Sequence, residues 1–103
     1  MSVSTIQGPY NFTTGRLYSG GNIARLETAA WENQWDSTAF ATFIQWKSVG
    51  RSVTKGQHGT RLQKMVEKTS KRTGKREIVP VPFTVFNLAQ TEVRDILGDS
   101  GVN

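Results

Sequence analysis

For covalent or metal chemistry this chain offers one histidine, His58, eight carboxylates scattered without ligand spacing, and no cysteine. His58 lies between Gln57 and Gly59 in a turn-forming stretch, where an imidazole is ordinarily solvated, and no His-Glu-x-x-His pair exists. Gly56-x-x-Gly59 lacks the rest of a phosphate-binding loop, and Gly20-Gly21 lacks the rest of a dinucleotide fingerprint. No nucleophile, base and acid can be assembled into a constellation, so the chain reads as a binding protein and not an enzyme, with no metal or cofactor. The absence of cysteine excludes a disulfide framework and a zinc–thiolate site.

Residues that bind are easier to find. Lys47, Arg51, Lys55, Arg61, Lys64, Lys68, Lys71, Arg72, Lys75 and Arg76 fall within thirty residues against a single acid, Glu67. The remainder holds three cations and seven acids, although the whole chain has a net charge of +5. Such segregation places one cationic surface on an otherwise ordinary domain and points to a polyanion; the plainer alternative is a solvated basic face. Single-stranded nucleic acid is held by cations along its phosphates and by rings on which bases stack. Arg16, Lys47, Arg51, Lys55, Lys64 and the later cations Lys68, Lys71, Arg72, Lys75 and Arg76 are the candidate phosphate contacts, and Tyr18 and Trp46 the candidate stacking platforms. Periodicity assigns Trp31 and Phe83 to a core, whereas pattern alone leaves Trp35 and Trp46 open between core and stacking.

These residues must be positioned by a single domain spanning the 103 residues, with residues 1–9 and 94–103 expected to be flexible. The run from Asn11 to Asn22 is rich in turn formers but carries Phe12, Leu17 and Tyr18, and reads as an ordered loop. Asn22 is a good N-cap for a helix over Ile23–Asn33, whose stripe is Ile23, Leu26, Ala30 and Trp31. A connection with an extended piece through Phe40 leads to Thr42-Phe43-Ile44-Gln45, a capping box that opens a short helix to Val49, with Gly50 as its left-handed C′ residue. Strands follow at Arg51–Val53, Thr60–Lys68 and Glu77–Phe86, separated by a glycine turn at Lys55–Gly59 and a basic hairpin tip at Thr69–Arg76. In the last strand Val79, Val81, Phe83 and Val85 form an apolar face, and Pro80 and Pro82 share the other parity, as an edge position requires. Asn87 caps a final turn through Gln90. The fold class is therefore α+β: one main helix and one short helix packed on a small, mostly antiparallel sheet with a long basic hairpin.

Four segments also resemble a known family. Asn11-x-x-Thr14-Gly15-Arg16-x-Tyr18-x-Gly20-x-Asn22 resembles the opening motif of the N-terminal domain of ArdC-type antirestriction proteins, found too in phage and plasmid polyvalent proteins. Ala41-Thr42-Phe43-x-Gln45 is similar to that family's W-L-T-[FY]-x-Q, with Phe40 and Ala41 in place of its Trp and Leu. Val49-Gly50-x-x-Val53-x-Lys55-Gly56-x-x-Gly59-Thr60 resembles its L-G-G-x-V-x-K-G-E-K-G-T, with Gln57-His58 replacing Glu-Lys, and Val85-Phe86-Asn87-Leu88-x-Gln90 resembles its V-F-N-V-x-Q. The resemblance implies a compact α+β domain that binds single-stranded DNA with little sequence preference. Full-length members continue into a zinc metallopeptidase-like domain with His-Glu-x-x-His; no such motif lies in these 103 residues, so DNA binding and not peptidase activity is implied.

The expected function is thus a sequence-tolerant single-stranded DNA-binding protein serving replication, recombination or protection of phage or plasmid DNA. The alternatives are an antirestriction-type inhibitor that docks on a host enzyme, and a general duplex DNA or RNA binder. Beyond single-stranded DNA, host or phage replication and recombination proteins are the partners such a role would bring. No apolar run approaches the roughly 18 residues of a membrane span and no signal peptide is evident, so the expected location is the cytoplasm, that of a bacterial host for a phage- or plasmid-encoded chain. The pattern leaves the oligomeric state open.

Overall fold

The computed structural model of the chain describes residues 8–94, and the flexibility expected of residues 1–7 and 95–103 lies outside them. In order, the elements are β1 (Tyr10–Asn11), α1 (Gly21–Asn33), β2 (Ala39–Ala41), α2 (Phe43–Ser48), β3 (Arg51–Val53), β4 (Thr60–Thr69), β5 (Arg76–Asn87), a 3-10 turn (Leu88–Gln90) and β6 (Thr91–Val93). The fold is α+β as expected. The main sheet has the order β1-β2-β5-β4, antiparallel except where β1 pairs with β2, and β3 and β6 form a separate antiparallel ribbon. β1 and β6 were not expected: two or three residues are too few to show a strand's alternation. Pro9, read as part of the flexible lead-in, is buried, and Arg94, at the start of the expected flexible tail, donates its N–H to the Gly50 carbonyl at 2.9 Å.

Strand parity separates two apolar clusters onto opposite faces of the sheet. Phe40 stands opposite Asn87 and Leu62 opposite Phe83, so Phe40, Leu62, Phe83 and Val85 share the face covered by Leu26 of α1, with Tyr18 and Trp35 packed alongside. Ala39, Ala41 and Phe86 take the other parity and meet Trp46 of α2, together with Tyr10, Val53 and Leu88. Each fully buried Leu, Val or Phe contributes about 1.5–3 kcal/mol relative to exposure.

The local signals decide where the elements begin and end. The expected capping box is formed: Thr42 Oγ1 accepts from the Gln45 N–H at 3.2 Å, and Gln45 Oε1 accepts from the Thr42 N–H at 3.0 Å. Gly50 has φ 82°, the left-handed value expected of it. Asn87 and Gln90 build a second capping box on the 3-10 turn. One cap differs from expectation: α1 starts after Gly20 (φ 62°), and Asn22 does not cap it. Asn22 serves β4 instead, its Nδ2 donating to the Gln63 carbonyl at 2.8 Å and its Oδ1 accepting from the Gln63 N–H at 3.2 Å. The reason is satisfaction of the backbone: β4 is an edge strand, and the Gln63 peptide groups have no strand to pair with on that side.

Beyond α1 the β4–β5 hairpin stands out as a two-stranded arm. Because the Gln63 peptide groups point away from β5, the Gln63–Pro82 pair is a non-hydrogen-bonded one; Pro82, and Pro80 two residues earlier, therefore turn their missing N–H toward the open side of β5. The tip is ordered by Ser70, which exchanges backbone bonds with Lys75 and Gly74 and accepts from the Arg72 and Thr73 N–H groups through Oγ. Among the described residues no helix is long and apolar enough to cross a membrane.

Candidate nucleic-acid interface

The segments that carry the family-like motifs converge, but their polar side chains are mostly turned inward. Asn11 Nδ2 donates to Gln45 Oε1 at 2.9 Å and reaches Tyr18 Oη at 3.2 Å, and Asn11 Oδ1 accepts from Thr13 and Thr14. The N-terminal loop is thereby fastened to the start of α2. Beyond the end of β5, Gln90 Nε2 donates to the His58 carbonyl at 2.7 Å and to Gln57 Oε1 at 3.2 Å, while Asn87 Nδ2 donates to the Ser37 carbonyl at 2.8 Å. Gly59 is demanded by contact: a Cβ there would lie 2.3 Å from Thr84 Cγ2 and 2.8 Å from the Val85 carbonyl oxygen. These motifs therefore hold loops in place, and the surface they present is made by their neighbours.

A groove of about 650 Å³ lies between α2 and the β3–β6 ribbon. Lys47, Arg51, Arg94 and Phe43 line it, with Glu92 the one acid among the described residues. Phe43 is 52% exposed, sits one helical turn before Lys47 on the same side of α2, and leans its edge on Phe86 with ring centroids 6.4 Å apart. Arg51 is partly committed: its Nε donates to Thr91 Oγ1 at 2.7 Å and its Nη2 to the Thr91 carbonyl at 3.3 Å, which fixes the guanidinium along the groove wall. Phe12, 41% exposed, stacks at 5.0 Å on Trp46.

Of the residues singled out from sequence, Lys47 and Arg51 meet in this groove, and Arg16 and Lys55 are exposed on turns of the same body. Lys64 lies at the root of the arm, with its ammonium 5.9 Å from the Phe83 ring centroid. Lys68, Lys71, Arg72, Lys75 and Arg76 are not brought to the groove: they sit at the far end of the arm, and the stretch of β5 from Arg76 to Phe86 spans roughly 33 Å. Arg76 also pairs with Glu67 at 3.6 Å, an exposed contact of little energetic weight.

Two aromatic assignments need correction. Trp46, a candidate stacking platform, is 0% exposed, with its Nε1 donating to the Phe86 carbonyl at 2.8 Å, so no base can reach its face. Trp31, assigned to the core, is 85% exposed. Tyr18 is half-buried against Phe40, and burial raises its phenol above the ordinary value, outweighing the opposite effect of the Asn11 hydrogen bond. The ring is thus an incomplete platform, with only its outer part available. Phe43, Phe12 and Arg94 were missed. For Phe43 the signal was its i, i+4 relation to Lys47; Arg94 was hidden by the polar composition of the tail.

Among curated proteins there is no match to the chain. Among solved structures it is similar to the antirestriction ArdC protein from the R388 plasmid. With the metal-free structure it shares 29% identity and a TM-score of 0.69, covering 87% of this chain and 34% of that one. With the Mn(II)-bound structure the identity is 26% and the TM-score 0.73, over 85% of this chain and 35% of that one. The chain therefore spans about a third of the length of that relative. The family model for the N-terminal domain of the anti-restriction factor ArdC matches residues 1–93, and the chain belongs to that family.

Proposed function

We propose that this chain is a sequence-tolerant single-stranded DNA-binding protein of the bacterial cytoplasm, acting without catalysis to protect incoming phage or plasmid DNA, in keeping with the antirestriction character of its family. The observation that carries the reading is the groove between α2 and the β3–β6 ribbon, where Lys47, Arg51 and Arg94 line one space with the exposed Phe43 ring. Cations set beside an exposed ring are what a single strand requires: phosphates follow the charges, and a base stacks on the ring without regard to its identity. In this reading Arg16 and Lys55, both exposed, supply further phosphate contacts.

The test is anisotropy of labelled oligo-dT titrated with the protein at several salt concentrations. Neutralising about five phosphates gives a slope of log K against log salt of roughly −3.5. Phe43→Ala is expected to weaken binding by about 1–3 kcal/mol, roughly 5- to 150-fold, at every salt concentration, while Lys47→Gln lowers the slope by about 0.7. Duplex DNA or RNA of equal length bound equally at all salts, with Phe43→Ala without effect, would reduce the interaction to bulk electrostatics and sink the proposal.

A further inference from the structure

The DNA-binding groove leaves two exposed features unused, and they lie on different parts of the molecule. One is a groove of about 600 Å³ at the C-terminal end of α1, walled by the exposed Trp31 and by Trp35, with Glu27 and Asp36 among its lining residues and no cation among the described residues there. An indole flanked by carboxylates is a site for a Lys or Arg side chain, which gains from the ring quadrupole and from the charges together. The other is the hairpin tip, where Ser70 fixes a tight turn that presents Lys71, Arg72 and Lys75 outward. Its order before contact lowers the cost of docking.

A single copy cannot join these two features. α1 runs antiparallel to β4: Asn22, near its start, is bonded to Gln63, whereas Thr28, Ala29 and Glu32 lie beside Thr60 and Arg61. Trp31 is therefore at the Thr60 end, and the tip begins past Thr69, roughly 30 Å away along a ten-residue strand. We infer that the hairpin tip of one copy docks into the Trp31 groove of the next, so that the protein associates head to tail through an acidic-aromatic socket and a basic plug. Such a contact joins two different patches: repeated in one sense it grows into a ring or an open chain, and two copies that exchange tips reciprocally close as a two-fold dimer. The inference does not depend on DNA binding; if both hold, neighbouring copies along one strand support each other.

Sedimentation velocity of the full chain, freed of nucleic acid, tests it. At about 20 mM salt the weight-average sedimentation coefficient should climb above that of the monomer with protein concentration, and at about 0.5 M salt the species should revert to monomer. Trp31→Ala and, separately, Lys71→Glu with Arg72→Glu should each be monomeric with unchanged far-ultraviolet circular dichroism. Mixed together, the two variants retain one working socket and one working plug between them, and should form a dimer that stops there. A wild-type monomer at all concentrations in low salt, or association that survives in either variant alone, would overturn the inference.

Discussion

Two tryptophans on opposite faces of one sheet show how differently the molecule uses the same side chain. On the α2 face, Trp46 is enclosed by Ala39 and Ala41, stacked on Phe12 and bonded through Nε1 to Phe86. On the α1 face, Trp31 is outside the packed stripe and walls an acidic groove. Position on the helix, and not residue type, makes the difference. Taking Leu26 as the centre of the buried face, Ala30 lies about 40° around α1 and Trp31 roughly 140°, beyond a stripe that covers about 100°.

The sharpest way to break this comparison is to truncate both rings. Trp46→Ala is expected to cost about 3–5 kcal/mol, and Trp31→Ala less than about 0.5 kcal/mol, read from urea unfolding midpoints; similar losses would mean that the faces are not so unequal. Next in size is Gly59→Ala on the Trp46 side. Its Cβ would also crowd Phe86 Cζ at 3.0 Å, and a loss of about 1–3 kcal/mol is expected in the same measurement. On the Trp31 side, Asn22→Ala leaves the Gln63 peptide groups to water and should cost about 0.5–1.5 kcal/mol, with faster amide exchange at Gln63 as the specific sign. The smallest effect concerns pH. The Tyr18 phenol is raised in the folded state, so its contribution to stability is whole below the ordinary tyrosine range and is lost as pH rises through the folded value. Unfolding midpoints should therefore fall more steeply above about pH 10 in the parent than in Tyr18→Phe.

Much of the fold was written locally. The Thr42–Gln45 box, the Gly50 terminus, the two-residue alternation of β4 and β5 and the Asn87 turn all depend on neighbours within a few positions, and each was legible. What depended on distant partners was not. Asn22 looked like a cap because nothing in the sequence shows that Gln63 will lie beside it without a strand partner. Trp46 did leave a trace: it is the fourth helical residue after Thr42, and Ala41 precedes the cap, the spacing at which a hydrophobic pair staples a helix entry. Ala41 and Trp46 do share one core cluster. The cationic block from Lys47 to Arg76 was visible as charge but not as place, since the chain must turn at Gly56 and run out along β4 before the groove and the tip are seen to be separate surfaces.

The prolines of β5 bear on the denatured chain as much as on the folded arm. A two-stranded ribbon without a third strand is at best marginally stable in water. Pro80 and Pro82 stand where no ladder hydrogen bond is forfeited, so they narrow the conformations open to the unfolded segment without weakening the folded one. Each such residue is worth about 0.4–1 kcal/mol. The arm thus owes part of its persistence to disorder withheld from its unfolded state, which lets it reach out into solvent with little packed against it.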